Sequence, residues 1–173
     1  MKVIDFETRR ANASDAEDIA AAHVDSIHST GALFYPAEVI YAWGAPRRGD
    51  AYVRAMERGE VFFIAIGTTD NKRLVLGLSA HRVVAGQHRT AIYVRGSASR
   101  RGVGSALFRL AEAEAIAADA ISICVDASLA AVEFYLANGF HEVSRGEHRL
   151  QSGVAMACVS MEKTLPKLGG VGV

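Results

Sequence analysis

The sequence predicts an α/β domain built on a central mixed, mostly antiparallel twisted sheet with helices on both faces. Three observations predict it. Short apolar runs bounded by turn residues recur from position 61 onward, with the length and spacing of strands. Longer stretches with apolar residues every third or fourth position open the chain and return after position 102. One of these links a strand ending at Val94 to another beginning at Ile121, and such a helical crossover makes the two strands parallel. With 173 residues, 50% of them hydrophobic and 22% charged, the chain is long enough to bury its own core. No repeat, low-complexity tract or linker interrupts it. One domain over residues 1–166 is expected, with a flexible tail at 167–173.

Each element has a local reason. Residues 3–9 alternate apolar and polar side chains, as a strand does. Ser14 with Glu17 three positions on reads as a capping box, opening a helix that runs to about Ser29. Ile19, Ala22, His23, Ser26 and Ile27 form its inner stripe, and Gly31 breaks it. Pro36 fits the start of a short helix carrying Val39, Ile40 and Trp43. Residues 51–58 form another, stopped by Gly59. Residues 61–66, 74–84 and 87–94 make an antiparallel meander, with a turn at Thr69-Asp70-Asn71-Lys72 and Gly77 marking a bulge. Residues 103–118 are helical, with an apolar face at Val103, Ala106, Leu107, Leu110, Ala113 and Ala117. A strand at 121–125, a helix at 128–138 capped by Gly139, and strands at 140–145 and 154–163 complete the chain.

Charge and side-chain inventory narrow the function. Lys+Arg and Asp+Glu each number 19, so the formal net charge is zero, which argues against general attraction to nucleic acid or anionic membrane. The basic residues near 95–101 are a local cluster that suits a small polyanion. Cys124 and Cys158 sit in apolar runs and read as packed free thiols. The opening MKVIDFETRR has no apolar signal region, and no apolar run approaches the roughly 20 residues of a membrane span, so a cytoplasmic location is expected. The six histidines lack tight metal-ligand spacing, and no metal is expected.

The chemistry-bearing stretch runs from Ile92 to Phe140. A strand ending in Ile92-Tyr93-Val94 leads into the turn Arg100-Arg101-Gly102-Val103-Gly104-Ser105, from which a long helix opens. Glycines let a backbone approach a phosphate closely, and the first N–H groups of a helix lack internal partners and carry the positive end of its dipole. The turn therefore reads as an anion site, beside the plainer reading of a tight strand–helix connection. Leu107 stands where a dinucleotide fingerprint needs its third glycine, and no Gly-Lys-Ser/Thr follows, so neither nucleotide motif fits. Further on come Ser128, Ala131, Phe134-Tyr135 and Gly139-Phe140.

These two motifs, in this order and at this separation, resemble those of the GNAT family of N-acetyltransferases. Gly102-Val103-Gly104 match the glycine half of the first motif, with Ser99 where the family has Gln or Arg. Ala131, Phe134, Tyr135 and Gly139-Phe140 match the second, with Ser128 where the family has Asn. The resemblance implies acetyl-coenzyme A as co-substrate. Its pyrophosphate would meet the backbone of Gly102, Val103, Gly104 and Ser105 and the side chains of Arg100 and Arg101. Its pantetheine arm would lie along Ile92 and Val94, near Ser128, where two parallel strands splay. Tyr135 would protonate the departing thiolate after direct attack by a primary amine, a small molecule or a peptide, in a ternary complex. Residues 87–96 contain no carboxylate to act as base; Tyr93, Glu60, Glu147 and His148 remain candidates. Tyr35, Tyr41 and Trp43 fall on the segment that usually builds the acceptor pocket, as an aromatic wall or as packing. A homodimer is likewise implied. A coenzyme A-binding regulatory module without turnover is the alternative.

Overall fold

In a computed structural model, which describes residues 5–69 and 71–167, seven strands form a single sheet in the order β1-β2-β3-β4-β5-β7-β6. The strands are β1 (Phe6–Arg10), β2 (Val61–Thr69), β3 (Lys72–Val84), β4 (Gln87–Val94), β5 (Ser122–Ser128), β6 (His141–Arg149) and β7 (Ala155–Thr164). The helices are α1 (Ala16–Ser29), α2 (Ala37–Trp43), α3 (Asp50–Glu57), α4 (Val103–Ala117) and α5 (Val132–Ala137). Val3 and Ile4 of the expected first strand, Asp70 of the expected turn and residues 168–173 of the expected tail lie outside the described residues. The meander β2-β3-β4 is antiparallel as its pattern predicts, and β4 runs parallel to β5 as the crossover predicts.

Helices cover both faces. On one face α1 and α3 bury Ile19, Ala20, Ala22 and Tyr52 against Phe62, Ile64, Leu78 and Ala80. On the other, Val103 and Leu107 of α4 pack on Ala65 and Leu76, and Phe108 joins Tyr135, Ile123, Val125, Val159 and Met161. Alternation of side chains along β4 sends Tyr93 to the first face and Ile92 and Val94 to the second.

Two local expectations are corrected. The capping box is Asn12 with Asp15, set one short 3-10 turn ahead of α1, and Ser14 bonds back to Asn12. Asp15 is also gripped by both terminal nitrogens of Arg9, at 2.8 and 2.7 Å, which holds its carboxyl below the usual range and favours it as the cap. The buried face of α4 is Val103, Leu107, Phe108, Ala111 and Ala115, whereas Ala113 and Ala117 are exposed. In a helix with alanine on nearly every side, the apolar stripe has several near-equal placements. The large Phe108 ring, worth roughly 2–3 kcal/mol when buried, selects among them.

The turn after β4 is pinned from below. Asp25 of α1 accepts from the Gly96 N–H at 3.0 Å and pairs with Arg95 at 3.3 Å, while Arg95 Nε donates to the Val75 carbonyl at 2.7 Å. A side chain on Gly96 would meet Ser29 Cβ at 2.5 Å, so glycine is what lets α1 approach. Across the sheet, the Tyr35 hydroxyl donates to the Ala157 carbonyl at 2.6 Å and accepts from the Leu129 N–H at 2.7 Å. This one phenol ties the α1–α2 connection to β7 and to the chain leaving β5.

Candidate active site

β4 and β5 meet at one register pair, Arg89 with Cys124. Beyond it β4 continues along β3 to Gly77↔Val94, while β5 continues along β7 to Ser128↔Cys158. The sheet therefore opens into a seam flanked by Ile92 and Val94 on one side and Ser128 on the other. Backbone polar groups away from water need partners, so such a gap is a place for an added extended chain.

Tyr135 closes one side of the seam. Its ring is 2% exposed and packs edge-on to Phe134 and Phe140, with centroids 5.1 Å apart in both cases. The Ile92 backbone lies beside its hydroxyl. Burial first, and then Tyr93, push its pKa above the ordinary phenol value, against the opposing pull of the Ile92 backbone. The group is a neutral proton carrier, not a phenolate, at any ordinary pH.

The turn stands at the mouth of the seam. Arg100 has φ 60° and Gly102 φ 85°, so the chain passes twice through the left-handed region before α4 begins. A side chain on Gly102 would meet nothing within 4 Å, whereas one on Gly104 would meet Phe134 Cε2 at 3.1 Å and Val94 Cγ2 at 3.6 Å. Gly104 thus has a packing duty as well as any contact with a ligand: it seats α4 against the neighbour of Tyr135. The N-terminus of α4 has no side-chain cap and no acidic residue in its first turn. Its first N–H groups are left without intrahelical acceptors, over fifteen residues of aligned peptide dipole. Arg100 and Arg101 are exposed beside it.

The opposite face of β4 carries a cluster that the motifs did not announce. Tyr93 stacks on His23 of α1, with ring centroids 3.7 Å apart. His23 Nδ1 lies 2.7 Å from the Tyr52 hydroxyl of α3, while His23 Nε2 is buried without a partner. Trp43 stands 6.5 Å from Tyr93 and 5.8 Å from Tyr35. Desolvation, then the charge of Arg47, lower the His23 pKa to about 3. Burial raises that of Tyr52 to about 12. Only its place on the inner stripe of α1 marked His23 in the sequence; Tyr52 and Arg47 carried no signal there.

A stability prediction follows from His23. The unfolded chain protonates it near 6.5, the folded one near 3. Between those values the unfolded state binds more protons, so stability is full above pH 6.5 and is lost on acidification, by up to about 1.4 kcal/mol per pH unit from this group. Denaturant unfolding measured across that window should show a shallower slope in His23→Phe than in the parent.

The remaining expected residues divide. Tyr35 is a buried tie and Tyr41 is 84% exposed, so only Trp43 of the three aromatics faces Tyr93. Glu60 is half-buried just before β2, with its pKa raised by burial and moderated by Arg82 and Arg58. Glu147 and His148 are exposed on β6, separated from β5 by β7. Cys124 and Cys158 are half-buried free thiols, as expected. Among the described residues no cluster of three or more metal-ligating side chains occurs, and no helix is long and apolar enough to cross a membrane.

Comparison with known proteins finds the same fold. A GCN5-related N-acetyltransferase from Rhodopseudomonas palustris is 26% identical, with a TM-score of 0.79 over 95% of this chain and 99% of that one. The PaiA N-acetyltransferase of Thermoplasma acidophilum, solved in complex with coenzyme A, is 18% identical, with a TM-score of 0.71 over 93% and 99% of the two chains. A GNAT superfamily phosphinothricin acetyltransferase from Sinorhizobium meliloti, solved with acetyl-CoA, is 16% identical, with a TM-score of 0.71 over 97% and 92%. No curated protein matches the sequence. Residues 42–165 match the acetyltransferase (GNAT) domain family, which spans most of the sheet, the seam and the turn, and the chain belongs to that family of acyltransferases.

Proposed function

We propose that the protein transfers the acetyl group of acetyl-coenzyme A to a primary amine by direct attack within a ternary complex, with residues 1–166 as the transferase domain. The observation that carries this reading is the open seam beside an uncapped helix N-terminus. The two features suit the two parts of one ligand. An extended amide-bearing arm fits the unpaired edge at Ile92 and Val94 and the facing Ser128. A pyrophosphate fits the N–H groups of Gly102 to Ser105, with Arg100 and Arg101 adding charge. Relatives solved with coenzyme A or acetyl-CoA support the same donor.

Within this reading the chain supplies three things. A backbone N–H of β4 near Val94 polarises the thioester carbonyl. Tyr135, kept neutral by burial, gives its proton to the departing thiolate. The amine enters beside Tyr93, where His23 and Trp43 gather. Coenzyme A should raise the melting temperature. A ligand at 100 times its dissociation constant adds about 2.7 kcal/mol, which corresponds to roughly 5–10 °C for a domain of this size. NAD and ATP should do much less. A folded sample unmoved by millimolar coenzyme A would sink the reading.

A further inference from the structure

The cluster between β4 and helices α1 and α3 has an unexplained atom. His23 is 9% exposed, yet its Nε2 has no hydrogen-bond partner. Leaving a buried nitrogen unpaired carries an unrecovered desolvation penalty, and two neighbours fix the ring in place. Tyr52 holds Nδ1 at 2.7 Å and Tyr93 holds the ring face at 3.7 Å. Tyr93 lies between Ile92 and Val94, so His23 sits across one strand from the seam.

The charges around it are one-sided. Of the carboxylates on the surrounding elements, Asp126 of β5 is engaged by Arg89, Asp25 of α1 by Arg95 and the Gly96 N–H, and Glu17 of α1 by the Gly49 N–H, while Asp18, Glu38 and Glu57 are exposed to solvent. Glu60 before β2 lies under the influence of Arg82 and Arg58. Arg47 after α2 donates to the Trp43 carbonyl, has no ion pair among the described residues, and acts on His23, Tyr52 and Tyr93 together. A neutral imidazole, two neutral phenols and an uncompensated guanidinium make a poor seat for an ammonium ion.

We propose that His23 receives the attacking nitrogen of the acceptor at Nε2, and that the acceptor is a weakly basic amine that arrives uncharged. This rests on the acetyl-transfer reading. In the tautomer with its hydrogen on Nδ1, directed at the Tyr52 hydroxyl 2.7 Å away, the Nε2 lone pair is left to accept from an amine N–H. As the nitrogen bonds to the thioester carbon it becomes cationic and far more acidic than an alkyl ammonium. A weak base then suffices: His23 takes the proton at Nε2, the C–S bond breaks, and the thiolate takes a proton from Tyr135. Solvent returns one proton to Tyr135 and removes one from His23 after release. The same imidazole could not strip an alkyl ammonium with a pKa of about 10.4, whereas an α-amino group near 8 supplies free amine unaided.

Thiol release is measured on acetyl-CoA-saturated protein with glycinamide and with butylamine, from about pH 6 to about pH 10, spanning both amine pKa values. The expected kcat/KM rises about tenfold per pH unit up to each amine's own pKa, with no enzyme ionisation in between. His23→Phe keeps the stack on Tyr93 and should lower kcat/KM for glycinamide on the order of 100-fold, with the KM for acetyl-CoA unchanged. A profile that levels off well below the pKa of butylamine, or a His23→Phe enzyme as fast as its parent, overturns the proposal. If neither amine turns over, long-range proton–nitrogen spectra of the coenzyme A-saturated parent decide. The His23 Nε2 resonance must move with glycinamide at alkaline pH, and a resonance unmoved by it also overturns the proposal. Failure of coenzyme A to raise the melting temperature is a separate result that strikes the transferase reading itself.

Discussion

Tyr135→Phe is expected to lower kcat on the order of 100-fold or more while leaving the KM for acetyl-CoA and the melting temperature little changed. The substitution removes one oxygen and keeps the ring that packs on Phe134 and Phe140. The proton it withholds matters only as the thiolate leaves, so the loss belongs to turnover and not to donor binding. Its raised pKa gives a second signature. A phenol held above its ordinary value stays protonated throughout the working range, so the parent should show no alkaline loss of activity from this group below about pH 10. Steady-state kinetics of both proteins, with chemistry shown to be rate-limiting, provide the test. An unchanged kcat would make Tyr135 a packing residue and leave water as the proton source.

Ser105→Asp should separate ligand from fold by moving them in opposite directions. Ser105 lies in the first turn of α4, which has neither a cap nor an acidic residue. A carboxylate there favours the helix by about 0.3–1 kcal/mol through the dipole. It also places negative charge where the pyrophosphate would sit, and a mismatch of about 2–3 kcal/mol corresponds to a loss of roughly 30- to 150-fold in coenzyme A affinity. Calorimetric binding beside a thermal melt reads both effects. Undiminished affinity in Ser105→Asp would move the phosphate site elsewhere. Gly104→Val is a blunter tool, because the new side chain strikes Phe134 and Val94 and so perturbs the protein without any ligand.

The order of elements was legible because it is written in local periodicity and punctuation. β4 came out with the boundaries read from its sequence, Gly59 and Gly139 do stop their helices with positive φ, and the parallel pair followed from the crossover alone. The face of α4 was not legible, since alanines at 106, 111, 113, 115 and 117 leave helical periodicity almost without contrast. The site was legible where it lies in one continuous stretch: the turn, the edge of β4 and Tyr135 are all within fifty residues. The His23–Tyr52–Tyr93 cluster was hidden because three elements distant in sequence converge there, and only tertiary packing brings them into contact. Tyr35 was ambiguous for the same reason. Its two partners lie 94 and 122 residues away, and no local pattern records them.

The single rung between β4 and β5 has a mechanical consequence. A hydrogen-bonded ladder resists shear because many bonds must break together. Here four strands on one side and three on the other are each tightly laddered, yet they share one pair, Arg89 with Cys124. The protein is two stiff plates riveted at one end, with α4 and α5 as the elements that cross behind the gap. Small angular play between the plates is the softest deformation available to such a body. A molecule laid in the gap acts as a fastener, and its stabilisation should be spent on that hinge mode first. Amide exchange would then slow most along the facing edges of β4 and β5, ahead of any change deep within either plate.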